Sequence, residues 1–390
     1  MASFTLDEAL RATGAAVENS APVVFADIVT DTRRITPGAL FVALQGERFN
    51  GDDFAVEAVN KGAAGVLVSA GCAAKKLAGL TCPVLYAADP LRAYQALARA
   101  WRMKFSLPVV TITGSNGKTT TKDLTASVLG AAWPVLKTEA NFNNEVGLPL
   151  TLLRLTEKHR AAVVEIGMRG LGQIAALAPI AAPSIGVVTN VGETHIELLG
   201  SIANIARAKS ELVEAIEPGG TVILNADDPY VAEMAGKRRR GVQLVTFGEV
   251  EGATVRGGNI AFEGLAASFT VSFDGGMPEK FRLPLAGRHN IYNALAALAV
   301  GWTLGLTSAV MQEGLANPAL TEQRFECYKK GAYTIVNDAY NASPTSMAAA
   351  LQTLAEIAPG RRIAVLGDML ELGEIAPAAH RRVGEEAAAA

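Results

Sequence analysis

Cysteine is scarce in this sequence of 390 residues, which contains only Cys72, Cys82 and Cys327. These scattered positions fit neither a disulfide framework nor a zinc site, and they are typical of free thiols in a reducing compartment. A basic excess is also absent, because 35 Lys and Arg residues are balanced by 38 Asp and Glu. This balance argues against a nucleic-acid partner, which usually binds a basic face.

Long apolar runs are missing as well. No run reaches the roughly 20 residues that a membrane-spanning helix needs, and the N-terminal residues lack the pattern of a signal peptide. Thr5 and Glu8 instead have the spacing of a capping box that opens a helix. We therefore expect a protein with no membrane partner and a cytoplasmic location.

The length predicts two or three domains, at roughly 150 residues per domain. Residues 1–88 alternate short strands and helices, as a small α/β domain does. Residues 89–316 contain continuous apolar strands separated by helices, which indicates a parallel sheet covered on both faces. Residues 317–390 begin a further α/β pattern.

This last section contains only two predicted strands, over residues 333–338 and 362–369. Two parallel strands are too few for a stable open sheet and would leave unpaired edges. We therefore expect the third domain to be incomplete and the chain to be truncated.

The most informative segment is a strand, a glycine loop and a helix in succession. All five residues of Val109–Thr113 are β-branched, which is typical of a buried strand, and the helix from Lys118 has amphipathic spacing. The residues between and just after them form a predicted phosphate loop: Gly114, Ser115, Asn116, Gly117, Lys118, Thr119 and Thr120. Two residues separate Gly114 from Gly117-Lys118, where the common form of this loop has four.

Each residue type in this loop has a chemical reason to be there. Glycines let the backbone approach an anion, and the N–H groups of the helix N-terminus point at it. The Lys118 ammonium would reach the outer phosphates, and the Thr119 hydroxyl would ligate magnesium. A Gly-Lys-Thr sequence alone could be a solvated helix start, but the strand before it favours nucleotide binding.

Glu165 is a second candidate metal ligand. It ends the apolar strand that begins at Ala161, and ligands bind at the carboxyl ends of strands in open α/β sheets. The alternative reading is a solvated loop residue.

Several separated motifs together resemble the Mur ligases, which are ATP-dependent amide-bond-forming enzymes of peptidoglycan precursor synthesis. The resemblance runs from about residue 25 to residue 390. The motifs that carry it lie at residues 113–120, 141–149, 165–168, 189–195, 208–211 and 287–293.

Two further motifs, at residues 337–347 and 366–373, resemble the family type that joins D-alanyl-D-alanine to UDP-N-acetylmuramoyl-tripeptide through an acyl phosphate. The Asp-Asn-Pro-Arg motif of the type that adds the third amino acid does not occur. The family architecture implies a small N-terminal α/β domain that binds the UDP precursor and a central ATP-binding domain with a parallel sheet and a phosphate loop. It also implies a C-terminal Rossmann-like domain, here partial.

The resemblance also implies ATP and two Mg²⁺ ions as cofactors. Thr119 and Glu165 would hold one ion, and His195 and a carbamylated Lys209 the second. Without the resemblance, Lys209 reads as a surface charge paired with neighbouring glutamates, and His195 as a structural residue. Lys118, Lys209 and His195 are the implied catalytic residues.

The remaining implied contacts are divided by substrate. Those to the nucleotide are Asn290, Arg324 and Asp338. Those to the incoming dipeptide are Tyr340 and Asn341. Those to the UDP precursor are Thr32 and Arg33, with Asn143 and Asn144 at its sugar-peptide portion.

Other functions remain open at this point. The ligase type that adds the third amino acid and folylpolyglutamate synthetase share the central chemistry, although the latter lacks such a UDP-binding domain. A phosphate-loop ATPase without ligase activity would turn over ATP without an acceptor amine, and an inactive regulator would bind the precursor without forming an amide. We expect a monomer.

Overall fold

A computed structural model describes residues 2–331, 333–358 and 360–390. These residues form two compact units. The first contains the described chain up to Ser106 with Glu145–Lys158 and Ile180–Ala182, and the second contains Leu107–Asn144, His159–Pro179 and Pro183–Ala390. The domain boundaries at residues 88 and 316 stay predictions.

The elements up to residue 106 alternate short strands and helices. In chain order they are β1 (Phe4–Thr5), α1 (Leu6–Thr13), β2 (Ala16–Glu18), β3 (Val24–Phe25), β4 (Asp27–Val29), β5 (Ala39–Val42), α2 (Ala55–Asn60), β6 (Gly65–Ser69), β7 (Val84–Ala87) and α3 (Pro90–Arg102). Five strands form a sheet in the order β2-β7-β6-β5-β4, in which only β2 is antiparallel to its neighbour. The predicted capping box at Thr5 and Glu8 is confirmed, because each backbone N–H donates to the other residue's side chain.

The rest of the chain continues the numbering, and α5 belongs to the first unit. The elements are β8 (Val109–Thr113), α4 (Lys118–Gly130), β9 (Val135–Lys137), α5 (Gly147–Leu152), β10 (Ala161–Glu165), α6 (Gln173–Ala181), β11 (Ile185–Val188), α7 (Ile196–Leu199), α8 (Ile202–Ala215), β12 (Thr221–Asn225), α9 (Pro229–Glu233), β13 (Gln243–Gly248), β14 (Val255–Glu263), β15 (Ala266–Phe273), β16 (Glu279–Leu283), α10 (Arg288–Thr303), α11 (Ser308–Ala316), β17 (Glu326–Lys330), β18 (Tyr333–Asn337), α12 (Pro344–Ile357) and α13 (Ala376–Ala389).

A nine-stranded sheet organises the second unit, in the order β16-β15-β14-β13-β12-β11-β8-β10-β9. The strands from β9 to β14 are parallel, and β14, β15 and β16 are antiparallel. Every residue of β8, β10 and β11 is buried, as expected for strands covered on both faces. Because these three strands are parallel neighbours, their carboxyl ends meet at one edge of the sheet.

Helix α4 differs from its predicted amphipathic character. Nine of its 13 residues are buried, including Lys122 and Asp123. The physical reason is that α10 and α11 both pack against α4, so the helix that starts at the phosphate loop lies inside the unit.

The predicted pair of parallel strands near the C-terminus is wrong. Residues 333–337 do form β18, but β18 pairs antiparallel with β17. Residues 362–369 form no strand, and the side chains of Ile363 and Val365 are 65% and 93% exposed. Their apolar pattern suits a strand, but within the described chain no other strand pairs with this segment. In the same described residues, no helix combines the length and apolar character needed to cross a membrane.

Candidate functional site

The loop between β8 and α4 has a backbone path that only glycine permits at two positions. A Cβ atom at Gly114 would lie 1.8 Å from Thr189 Oγ1, and one at Gly117 would lie 2.4 Å from Asn293 Oδ1. Gly117 also has a φ of +76°, in the left-handed region that glycine adopts readily. Helix α4 begins at the next residue, so its first N–H groups, which lack intrahelical acceptors, border this loop.

The Lys118 ammonium is folded back over the loop. Its Nζ donates to the carbonyl oxygens of Gly114 and Ser115, at 3.0 and 3.1 Å. Burial lowers the pKa of Lys118, and the carboxylate of Glu165 partly opposes that effect. The residue predicted to bind the outer phosphates is therefore held beside the loop by the loop's own carbonyl groups.

Two residues after β11 hold the loop, and the sequence analysis assigned them no role. Thr189 Oγ1 donates to the carbonyl of Asn116 at 2.7 Å, and Asn190 Oδ1 accepts from the backbone N–H of Asn116 at 2.8 Å. The signal for them was present, since two polar residues directly follow a buried strand. These contacts fix the loop from the neighbouring strand end.

Two buried donors at the loop have no hydrogen-bond partner in the part of the chain that the structure describes. They are Nδ2 of Asn116 and Nε of Arg324. The Arg324 guanidinium reaches the loop, because its NH2 group donates to Thr119 Oγ1 at 3.3 Å. Leaving buried donors unsatisfied costs about 1–3 kcal/mol each, so an anion with several acceptor oxygens suits this site.

Thr119 and Glu165 are brought together as predicted metal ligands. The Thr119 hydroxyl donates to Glu165 Oε2 at 2.9 Å, and Nδ2 of Asn143 donates to Glu165 Oε1 at 2.7 Å. Glu165 is 1% exposed, which excludes its reading as a solvated loop residue. Asn143, predicted to contact the precursor, lies here against the carboxylate.

This donor set fits a magnesium ion that shares its ligands with a nucleotide. No group of three or more His, Cys, Asp or Glu side chains able to hold a metal occurs among the described residues. Magnesium commonly keeps several waters and takes one or two carboxylates together with substrate phosphates. A threonine hydroxyl and one glutamate beside a phosphate loop match that preference.

His195 lies just beyond β11 and directly before α7. Its backbone is in the left-handed region, with a φ of +64°, and its Nδ1 contacts the carboxylate of Glu371. Burial lowers the pKa of His195 although Glu371 acts in the opposite direction. A neutral imidazole is the form that can ligate a metal. Glu371 lies within a motif that the sequence analysis quoted, but it was not predicted as a site residue.

Lys209 is buried inside α8, with 2% of its surface exposed. Among the described residues no hydrogen bond or ion pair engages its ammonium. Burial moves the pKa of Lys209 well below its usual range, and the charge of Lys118 lowers it further. The alternative reading of Lys209 as a surface charge paired with glutamates is therefore wrong.

The segment around β17 and β18 brings three predicted residues close together. The Arg324 guanidinium lies 3.8 Å above the ring of Tyr340, a cation–π contact. Asp338 Oδ1 accepts from the backbone N–H of Phe325 at 3.0 Å, and burial raises the pKa of Asp338. These residues are linked to the phosphate loop through the contact between Arg324 and Thr119.

The N-terminus of α12 also reaches the loop. Ser343 caps this helix through a capping box with Ser346, and its hydroxyl donates to Asn116 Oδ1 at 3.1 Å. Ser343 lies within the motif at residues 337–347, but it was not predicted as a site residue. Asn341, predicted to contact the dipeptide, is exposed, and its Oδ1 accepts from the backbone N–H of Ala342.

The side chain of Asn290 forms hydrogen bonds within the protein. Its Nδ2 donates to the carbonyl of Ala286 at 2.8 Å, and its Oδ1 accepts from Asn293 at 3.2 Å. Next to Ala286 is a cavity of about 280 Å³. Its walls come from the turn before β15, from the residues after β16 and from the segment that leads into β17, and they include Leu285, Arg324 and Phe325.

The remaining predicted residues lie elsewhere. In the first unit, the Thr32 hydroxyl donates to Glu57 at 3.0 Å, and Arg33 forms a forked ion pair with Asp31. Arg33 holds the pKa of Asp31 at about 2. In the second unit, Thr120 is half-buried in the first turn of α4 and Asn144 is exposed.

Three family profiles match successive parts of the chain. The Mur ligase family catalytic domain matches residues 25–101, and the Mur ligase middle domain matches residues 112–301. The glutamate ligase domain of Mur ligases matches residues 323–390. The three profiles therefore account for most of the sequence.

Curated and solved proteins are similar over nearly the whole chain. The UDP-N-acetylmuramoyl-tripeptide–D-alanyl-D-alanine ligase of Synechocystis is 43% identical over 365 residues, which cover 92% of this chain and 76% of the relative. The crystal structure of MurF from Acinetobacter baumannii matches with a TM-score of 0.93 and 32% identity, covering 100% of this chain and 84% of that one. MurF from Thermotoga maritima in complex with ADP matches with a TM-score of 0.83 and 29% identity, over 93% of this chain and 82% of that one.

Proposed function

Because this chain belongs to the Mur ligase family, we propose that it joins D-alanyl-D-alanine to UDP-N-acetylmuramoyl-tripeptide in an ATP-dependent, ADP-forming reaction of peptidoglycan precursor synthesis. One observation carries this assignment: a ligase of that name is 43% identical across 92% of the chain. The phosphate loop, together with Lys118, Thr119 and Glu165, supplies the groups expected of an ATP-dependent ligase. The fold is α/β with a central parallel sheet, in agreement with the sequence prediction.

The reaction converts the terminal carboxylate of the tripeptide into an acyl phosphate, and the dipeptide amine then displaces phosphate. Each step brings two anionic groups together, so positioning and fixed positive charge account for most of the catalysis. Lys118 would hold the outer phosphates, and Arg324 would contact them from the C-terminal side. The unpartnered donors of Asn116 and Arg324 support an anion at this position.

Magnesium would be held by Thr119 and Glu165 together with phosphate oxygens, and a second ion by His195 and a carbamylated Lys209. When bound, these ions would neutralise charge on the transferring phosphate. Asn143 orients the Glu165 carboxylate through its amide. The neutral ring of His195 and the unpaired amine of Lys209 are compatible with these roles.

Carbamylation of Lys209 requires a neutral amine. The Nζ lone pair would add to the carbon of CO₂, and loss of one proton would leave a carbamate with a charge of −1. Burial, which lowers the pKa of Lys209, favours the neutral amine at physiological pH. The product would turn a buried cation into an oxygen ligand for a metal.

We expect Lys209→Ala to lose most of its activity and to recover part of it in the presence of acetate or propionate. The wild-type protein should also show a ¹³C carbamate resonance after incubation with labelled bicarbonate, and the variant should not. Acetate added to the wild type is the control for a general salt effect. An identical resonance in both proteins, or a variant that short carboxylic acids cannot restore, would count against the carbamate.

Substrate contacts complete the proposal. Thr32 and Arg33 would bind the UDP end, Asn143 and Asn144 the sugar-peptide portion, and Tyr340 and Asn341 the dipeptide. Asn290 and Asp338 would contact the adenosine portion of ATP. The cavity beside Ala286 is a suitable place for an apolar ring. The substrates, ATP and a UDP-activated precursor, are the reason for proposing a cytoplasmic location.

The test is phosphate release from ATP with UDP-N-acetylmuramoyl-tripeptide and magnesium, with and without D-alanyl-D-alanine. We expect release to require the dipeptide and to yield a UDP-linked pentapeptide, identified by its mass. Release without the dipeptide would indicate an ATPase. Release that requires a single amino acid with a shorter UDP precursor would indicate the ligase type that adds the third residue.

A further inference from the structure

A segment close to the C-terminus is docked on the loop that carries His195. The backbone N–H of Glu197 donates to the carbonyl of Glu371 at 3.1 Å. The side chain of Ile196 packs against a buried cluster that includes Met369 and Leu372. Both segments lie in the second unit, so the contact is internal to it.

One hydrogen bond and one ion pair extend this docking. The Thr345 hydroxyl of α12 donates to Glu193 Oε2 at 2.9 Å, and an Arg382 guanidinium nitrogen of α13 lies 3.6 Å from Glu193 Oε1. The loop around His195 is therefore held by α12, α13 and the segment between them. A side chain delivered by that segment has a defined position relative to His195.

The side chain delivered there is Glu371. Its Oε2 contacts Nδ1 of His195, and its Oε1 lies 3.7 Å from a guanidinium nitrogen of Arg169. His195 and Glu371 both have left-handed backbones, with φ values of +64° and +59°. This conformation is uncommon for residues other than glycine, and strained residues of this kind cluster at functional sites. Two such residues in contact indicate that the surrounding structure enforces the pairing.

A carboxylate at Nδ1 decides which nitrogen of the ring carries the proton. The carboxylate can only accept, so Nδ1 donates its proton and the Nε2 lone pair is left free. Metal-ligating histidines commonly donate their second ring N–H to a carboxylate, which fixes the tautomer and ring orientation. Glu371 therefore presents His195 with Nε2 available as a ligand.

We propose that Glu371 is a positioning residue for His195, and that docking of the segment around Met369–Gly373 completes the second metal site by fixing the His195 ring. This inference rests on the proposed function, in which His195 ligates a metal ion. It adds one residue to that site, Glu371, which is supplied by the section docked on the His195 loop.

The test compares Glu371→Met with Glu374→Met, because Glu374 is exposed in the same segment. The first readout is the ring-nitrogen NMR spectrum of the four histidines, with the His195 signals assigned by their loss in His195→Ala. We expect wild type and Glu374→Met to show the Nδ1–H tautomer at His195. In Glu371→Met the His195 tautomer should become mixed.

The second readout is Mn²⁺ binding in the presence of a non-hydrolysable ATP analogue, followed by electron paramagnetic resonance. We expect Glu371→Met to bind its weaker Mn²⁺ ion about 10- to 100-fold less tightly than wild type. Glu374→Met should bind as wild type does. If Glu371→Met does not fold, Glu371→Gln takes its place, because an amide side chain removes the charge with little change in size.

The outcomes separate this inference from the proposed function. If His195→Ala binds both Mn²⁺ ions as tightly as wild type, the metal role of His195 is wrong and the inference is overturned with it. If His195→Ala weakens Mn²⁺ binding but Glu371→Met changes neither the affinity nor the tautomer, the positioning role of Glu371 alone is wrong.

Discussion

Lys118→Met is expected to lower kcat/KM by about 10²- to 10³-fold with little change in stability. The size of this decrease in kcat/KM is the one expected when an enzyme loses one preorganised positive group that acts on a developing anion. Stability should change little, because within the described chain the ammonium donates hydrogen bonds to the carbonyls of Gly114 and Ser115 alone, and a methionine of similar length can occupy its space. The measurement is the initial rate of dipeptide-dependent phosphate release, with thermal unfolding as the check on folding.

A matched control is Lys280→Met. Lys280 is exposed on the edge strand β16, so its removal should leave kcat/KM within about twofold of wild type. Lys118→Arg is not a conservative control, since a planar guanidinium does not replace a point charge in a tight loop. A Lys118→Met protein that retains at least a tenth of the wild-type kcat/KM would contradict the role of Lys118.

Lys118 also has an indirect effect that the same experiment can separate. Its charge lowers the pKa of Lys209, so a neutral residue at position 118 should raise that pKa and reduce the fraction of Lys209 present as the free amine. The ¹³C carbamate signal should therefore weaken in Lys118→Met. A variant that loses activity but keeps the full signal would assign the loss to phosphate binding alone.

The phosphate loop could be predicted from the sequence because its requirements are local. Gly114 and Gly117 are needed by the backbone path itself, and Lys118 follows at the helix start, so the pattern of residue types carries the structure. Glu165 could be predicted for a related reason. A buried apolar strand ends at that residue, and the carboxyl ends of neighbouring parallel strands meet at one edge of the sheet.

Features that depend on distant partners could not be predicted in this way. Residues 362–369 have the composition of a strand, but a strand exists only with a neighbour, and the pairing of β18 with β17 was not visible in the pattern. Glu371 contacts His195 across 176 positions of sequence. Spacing within a motif contains no information about such a contact.

The burial of helix α4 could not be predicted either, because it also depends on distant partners. Its periodicity suggested one exposed face, whereas α10 and α11 cover it. Lys122 and Asp123 consequently lie at 0% and 1% exposure, where charged residues are rare unless they are paired. A sequence pattern of mixed lysine, aspartate and threonine gives no sign of that environment.

Asp123→Ala is expected to destabilise the second unit by about 3–5 kcal/mol, the cost of removing one partner from a buried charge network. Asp123 Oδ1 lies 2.7 Å from Nζ of Lys137 and 3.2 Å from Nζ of Lys122. Its Oδ2 accepts from both the backbone N–H and the hydroxyl of Thr321, each at 2.8 Å. Without the carboxylate, the fully buried Lys122 side chain loses its counter-ion.

The measurement is equilibrium unfolding in urea, followed by tryptophan fluorescence in a Trp101→Phe background. The two remaining tryptophans, Trp133 and Trp302, both lie in the second unit, so the signal reports that unit's transition. Glu279→Ala, an exposed change on β16, is the control and should stay within about 0.5 kcal/mol of wild type.

A double variant distinguishes loss of the ion pair from loss of packing. Replacing both charges, as in Lys122→Met with Asp123→Leu, should recover part of the stability, because apolar pairs of similar volume often replace buried ion pairs without cost. Recovery should be incomplete, since Thr321 and Lys137 also lose an acceptor.

Lys137 also donates to the carbonyl of Ala319 at 2.7 Å. This network therefore ties residues 319–321, which end three positions before Arg324, to α4. A single Asp123→Ala variant as stable as wild type would show that this network contributes nothing to the stability of the second unit.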